Sequence, residues 1–182
     1  MIEHVGVGLA LFVGLGGGYL LARSARRGGR SGGEEEVQRI LLPFTGTEIS
    51  RRVLDAALRL ARAEGATLMP AYLAAVPMRL PLDCSIPKEA ERAMAMLEAI
   101  EQRAAAKDVP VDARIERGRS YRHALGRLLK RESFDRVVVP AGPSGAEGLG
   151  GEDLVWLLER APAEVLILRP APSDEKRVGI AV

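Results

Sequence analysis

The sequence predicts an α/β fold: a five-stranded parallel sheet with helices on both faces, preceded by one transmembrane helix. Three observations predict it. Short apolar runs alternate with segments of helical period from residue 37 to residue 170. Two of those runs, RVVVPA at 136–141 and EVLILR at 164–169, are apolar without alternation, as strands buried on both faces are. The amino-terminal region holds an uncharged apolar run, Val5–Ala22.

Length and composition bound the problem. With 182 residues, 47% of them hydrophobic, the chain can bury one α/β core of ordinary size. A net charge of +2 makes the whole molecule no general polyanion binder. The single cysteine, Cys84, excludes an intramolecular disulfide and any cysteine-clustered metal site.

Val5–Ala22, as a helix, would be about 27 Å long, close to the hydrocarbon thickness of a bilayer. A cleaved signal peptide fits less well. MIEH carries no cation, and Arg23, Arg26, Arg27 and Arg30 follow the apolar run instead of preceding it. By the positive-inside rule that cluster stays cytoplasmic, so residues 1–22 are expected to anchor the chain in the inner (plasma) membrane with the remainder inside. Gly6, Ala10, Gly14, Gly18 and Ala22 form a ridge of small residues that would let two such helices approach. Residues 23–36, RSARRGGRSGGEEE, lack apolar residues to pack and are expected to be a linker.

The first strand is expected at Val37–Pro43. Glu48–Glu64 follows with Ile49, Val53, Leu54, Ala57, Leu58 and Ala61 at helical spacing, Thr47 as N-cap and Gly65 as C-cap. Ala66–Ala74 is expected as a strand despite Pro70. A proline-containing loop, Val76–Pro87, leads to a helix at Lys88–Lys107, whose core stripe includes Met94 and Leu97. Val111–Glu116 alternates, as an edge strand does, and Ser120–Arg131 is helical. Arg136–Ala141, a helix at Glu152–Arg160 and the strand Glu164–Arg169 complete a β-α-β-α-β-α-β-α-β order, which implies parallel strands and right-handed crossovers. Residues 171–182 are expected to be a tail with an apolar end.

Ligands of such sheets bind beyond the strand carboxyl ends, where strand order reverses. The loops PFTGT (43–47) and AGPSG (141–145) are the ones expected to meet there.

RILLPFTGTEIS, the GRS turn at Gly118–Ser120, FDRVVVPAGPSG and LLERAPAEVLILRP together resemble the universal stress protein family over residues 37–170. The resemblance implies strand order 3-2-1-4-5 and commonly a homodimer, with Val165–Leu168 as a shared edge. Nucleotide-binding members carry Gly-x2-Gly-x9-Gly-Ser/Thr after the fourth strand and an Asp just beyond the first. Gly142, Gly145 and Gly151 match the glycines, and Pro43 belongs to the loop that would face the nucleotide. Only residues 146–150 separate the last two glycines, Glu152 replaces Ser/Thr, and Thr45 stands where the Asp would be.

Four missing residues remove up to about 13 Å of chain. A carboxylate about 4 Å from a phosphate costs on the order of 4 kcal/mol at an effective dielectric of 20, about a thousandfold in affinity. The site is therefore expected to be degenerate. No cofactor is favoured, and ATP with magnesium is the alternative ligand of Pro43, Thr45, Gly142, Gly145 and Gly151.

Other candidates carry little chemistry. His123 has no nucleophile or orienting acid beside it, so no catalytic residue is named and an enzyme is not expected. Arg114, Arg117, Arg119 and Arg122 around the GRS turn are expected to form a solvated basic face, and Trp156 to pack. With only Tyr121 among the basic residues, nucleic acid is not expected as a partner. The expectation is a membrane-anchored regulatory or interaction module, dimeric, with a second copy or a membrane protein as partner. The alternative is an ATP- or AMP-binding stress-signalling domain.

Overall fold

The computed structural model describes residues 38–46, 48–84, 87–141, 149–169 and 177–179. Residues 5–22, the linker 23–36, Thr47, Gly142 and Gly145 lie outside them. Among the described residues no helix is long and apolar enough to cross a membrane.

The elements are β1 (Arg39–Phe44), β2 (Glu48–Ser50), α1 (Arg51–Glu64), β3 (Thr67–Ala75), α2 (Pro87–Ala105), β4 (Arg114–Gly118), α3 (Tyr121–Arg131), β5 (Arg136–Pro140), α4 (Gly151–Arg160), β6 (Glu164–Leu168) and β7 (Arg177–Gly179). Five strands form a parallel sheet in the order β4-β3-β1-β5-β6, and β2 and β7 form a separate antiparallel pair. Counting the five sheet strands in chain order reproduces 3-2-1-4-5.

Alternation along each strand sorts the core into two layers. Ile40, Leu42, Phe44, Leu68 and Tyr72 face α1 and α2, while Leu41, Met69, Leu73, Val137 and Val139 face α3 and α4. The fully buried Val53, Leu54, Ala57, Leu58 and Ala61 give α1 its apolar stripe. In α2 the stripe is Ala93, Met96, Leu97, Ile100 and Ala104. The expected assignment of Met94 to the core is corrected: it is 56% exposed, more than half a turn round the helix from the buried Met96.

Pro70 lies inside β3 without breaking it. Leu68 accepts from Asp112 N–H and donates to Pro110 O, so it points its peptide groups at the 110–112 segment. Pro70, two residues on, turns its nitrogen to the same side, where residues 112–113 have left the ladder. The missing N–H therefore forfeits no strand hydrogen bond. Val111 contributes an isolated bridge to Leu68, and β4 begins only at Arg114, later than the expected Val111.

The first helix is also corrected. Glu48–Ser50 is extended, and α1 starts at Arg51 after Ser50. Ile49 fits the helical period but is buried from a strand instead, paired with Val178 of β7. The residue-171–182 tail thus contributes a strand. Gly65 caps α1 as expected, with φ +65°.

At the amino ends of the strands, charges lock the layers together. Asp135 accepts from Arg39 N–H at 2.7 Å, and Glu132 accepts from the Arg39 guanidinium at 2.7 Å. That guanidinium also lies 5.2 Å from the centroid of Phe134. Arg114 joins Asp112 at 2.7 Å, and Arg136 bridges Glu64 and Glu164. At the opposite, carboxyl end the Arg122–Asp153 ion pair joins the starts of α3 and α4, and loops lie over the strands.

Candidate functional site

The carboxyl ends of β1, β3, β4 and β5 frame the expected crevice. Pro43 and Thr45 are buried at the end of β1, Thr45 only 6% exposed. Beneath them, on the α1/α2 face, Phe44 and Tyr72 meet edge to face, centroids 5.6 Å apart. Burial, and next the charge of Glu89, raises the Tyr72 phenol above its ordinary range, so it stays neutral. Tyr72, Glu89 and Arg117 help line a cavity of about 10 Å³, room for one water.

One wall is fixed by Arg119. Its Nη1 donates to the carbonyls of Pro77 at 2.7 Å and Leu80 at 2.8 Å, tying the β3–α2 loop to the β4–α3 turn. Val76 N–H donates to Gly118 O at 2.8 Å. Gly118 leaves no room for a side chain without a backbone shift: a Cβ there would fall 2.3 Å from Ala124 N. Ser120 then caps α3, accepting from His123 N–H at 3.1 Å, while His123 Nδ1 accepts from Arg119 N–H at 3.1 Å. The GRS turn is therefore a structural joint. Arg119 is consumed by carbonyls, Arg114 by Asp112, and Arg122 by Asp153 at 3.0 Å.

The opposite wall belongs to the β5–α4 connection. β5 ends at Pro140, with Ala141 N–H bound to Leu168 O at 2.9 Å, and α4 begins at Gly151. Leu149, 2% exposed, packs with Leu41, Val139 and Leu157 and pins the connection from below. It is the apolar anchor that sequence reasoning passed over inside a glycine run. Gly150 is the N-cap of α4 and, lacking a side chain, covers none of the first amides of α4 itself. Gly151 has open space where a side chain would stand.

The electrostatic cost to an anion at this site is smaller than the sequence implies. Asp153 is bound to Arg122, so it does not face a ligand as an uncompensated carboxylate. Glu152 is exposed. In water-like surroundings its repulsion at about 4 Å falls to roughly 1 kcal/mol, about fivefold in affinity instead of a thousandfold. The connection is as short as the sequence implies, because α4 begins where the third glycine stands. Of the candidate residues, Pro43 and Thr45 share the end of β1, and Gly151 opens α4.

Ser50 adds a polar atom not anticipated from sequence: its Oγ is buried and has no hydrogen-bonding partner among the described residues. Among the described residues no group of His, Cys, Asp and Glu could hold a metal.

Comparisons with known proteins agree with this architecture. The sequence pattern described as the universal stress protein family matches residues 36–169. A crystal structure of a universal stress protein family protein from Burkholderia pseudomallei is 23% identical, with TM-score 0.56, covering 76% of this chain and all of that one. A universal stress protein in complex with cAMP is 23% identical, with TM-score 0.55, covering 74% and 98%. An Arabidopsis thaliana family member with AMP bound is 13% identical, with TM-score 0.54, covering 75% and 94%. No curated protein matches the chain.

Proposed function

Because the chain belongs to the universal stress protein family, we propose that it is a regulatory module and not an enzyme, held at the inner face of the membrane by residues 5–22 and acting by docking. The observation that supports this reading best is the short β5–α4 connection. Residues 141–150 must leave β5 and enter α4 with Leu149 already buried, which leaves too little chain to wrap a triphosphate. In this reading a second copy docks along β6. That strand is a sheet edge, and Ile167 on it is 38% exposed. A membrane tether raises the local concentration of copies, so a weak edge contact suffices.

A second reading is favoured by the start of α4, where the cap residue Gly150 offers no side chain to the first amides, and by the pairing of Asp153 with Arg122. A mononucleotide needs to place one phosphate, not three, at the start of α4. Two of the similar solved structures hold AMP or cAMP. The ligand in this reading is an adenine mononucleotide, with Pro43 and Thr45 beside it.

A thermal-shift series on the protein with magnesium ATP, AMP and cAMP separates the two. No stabilisation by any of them favours the docking module. Stabilisation by AMP or cAMP alone favours the second reading, and micromolar binding of ATP overturns the argument from loop length.

A further inference from the structure

Helices α3 and α4 lie on the same face of the sheet, and their outer surfaces leave an open groove between them of about 630 Å³. That is within the range of small-molecule sites. Two helical rows of α3 border it. Arg122, Gly126 and Leu129 follow one line, and His123, Arg127 and Lys130 the next. Across from them stand Trp156 and Arg160, one turn apart on α4, with Pro162 beyond.

Gly126 widens the groove. A methyl there would just touch the Trp156 indole at 3.4 Å, and any larger side chain would compete with the indole for the space against α3. Glycine inside a helix costs about 1 kcal/mol relative to alanine, and here it leaves a half-buried aromatic surface open to solvent. The Arg122 guanidinium sits 5.9 Å from the indole centroid and is held by Asp153.

Arg127 donates to the Arg117 carbonyl at 3.3 Å, but neither it nor Lys130 nor Arg160 makes an ion pair with a described carboxylate. Arg39, Arg114, Arg131 and Arg136 show the contrary habit elsewhere, each bound to at least one. Three like charges around an apolar floor repel one another, a cost that no described carboxylate offsets. An anion with an apolar body satisfies both features at once. Guanidinium and ammonium groups suit phosphate oxygens, and the indole and Leu129 suit a hydrocarbon or flat ring.

We propose that the α3–α4 groove is a binding site, separate from the crevice at the strand ends, for a phosphate ester carrying an apolar or aromatic body. Arg127, Lys130 and Arg160 bind the phosphate, and Trp156 and Leu129 receive the body. Soluble phosphate esters and anionic lipid headgroups share this chemistry.

Trp156 is the only tryptophan in the chain and reports on the groove directly. The full-length protein is titrated with phenyl phosphate, with inorganic phosphate, and with vesicles of phosphatidylglycerol or phosphatidylcholine, following tryptophan emission. A saturable change is expected with phenyl phosphate, with phosphatidylglycerol vesicles, or with both, and weaker binding of inorganic phosphate. Response to phenyl phosphate alone identifies a free ester as the source, and response to phosphatidylglycerol alone identifies the headgroup.

The exposed pair Lys130→Glu with Arg160→Glu should weaken either response about tenfold or more without moving the unfolding temperature. Thr45→Ala, at the strand-end crevice, should leave it unchanged. If the charge-reversed protein unfolds early, Lys130→Gln alone should still weaken binding severalfold. No saturable change with either ligand, equal affinity in the charge-altered variants, or inorganic phosphate binding as tightly as phenyl phosphate would each overturn the proposal.

Discussion

Gly118→Ala tests the joint on which the crevice wall depends. The added methyl would lie 2.3 Å from Ala124 N, 2.8 Å from Ala124 Cα and 2.8 Å from Ser120 O. All three are backbone atoms, so no side chain can rotate away. Restoring ordinary contact requires the start of α3 to retreat from β4 by about 1 Å. That strains the Ser120 cap and the Val76–Gly118 hydrogen bond together. Overpacking of this kind costs roughly 2–3 kcal/mol, a fall of about 6–10 °C in unfolding temperature for a domain of this size.

Circular dichroism melts measure it, with Gly65 as the comparison. There a Cβ meets nothing within 4 Å, and the backbone at φ +65° is the only obstacle. Gly65→Ala should cost about 1 kcal/mol, and Gly65→Asn should recover part of it, since asparagine tolerates that conformation. Gly118→Asn should recover nothing. A Gly118→Ala protein that melts within about 1 °C of the parent would refute the steric account.

Arg119→Met keeps the length of the side chain and loses the carbonyl bonds to Pro77 and Leu80. It should cost about 1–2 kcal/mol and make residues 77–84 a new site of limited proteolysis. Glu132 sits below the usual glutamate range, first because Arg39 donates to it. Its contribution is therefore complete above the unfolded value of about 4.3 and fades as pH falls through the lower folded value. Glu132→Gln should accordingly be less stable than the parent in urea at pH 7, with the gap narrowing in acid below that window. Ile167→Lys places a charge on the β6 edge and should shift sedimentation of the protein toward the monomer, and an unchanged distribution would remove β6 as the pairing edge.

Much of the fold was legible because its signals are local. Uninterrupted runs such as Val137–Val139 and the Val53–Ala61 stripe carry strand and helix in their own periods. Strand order rested on the family resemblance and agrees with the pairing of β1 to both β3 and β5. What escaped was non-local. Glu48–Ser50 has no strand signature within three residues, and its extended form depends on β7, more than a hundred residues away. Pro70 was an apparent obstacle until the gap in the β4 ladder was known.

The site divides in the same way. Thr45 and the short β5–α4 connection could be counted from the sequence. The capture of Asp153 by Arg122, which removes most of the electrostatic objection to an anion, joins residues 31 positions apart. Leu149 and Gly126 were hidden for another reason. One is an apolar residue in a glycine run, the other a glycine in a helix, and each acquires meaning only from the neighbour it packs against.

The pairing of Arg177–Gly179 with Glu48–Ser50 bears on how this protein should be handled at the bench. A chain cut short before residue 177 would lose the partner of the strip that continues the loop after β1. Nucleotide titrations made on such a chain would measure a loosened doorstep to the crevice as well as the ligand.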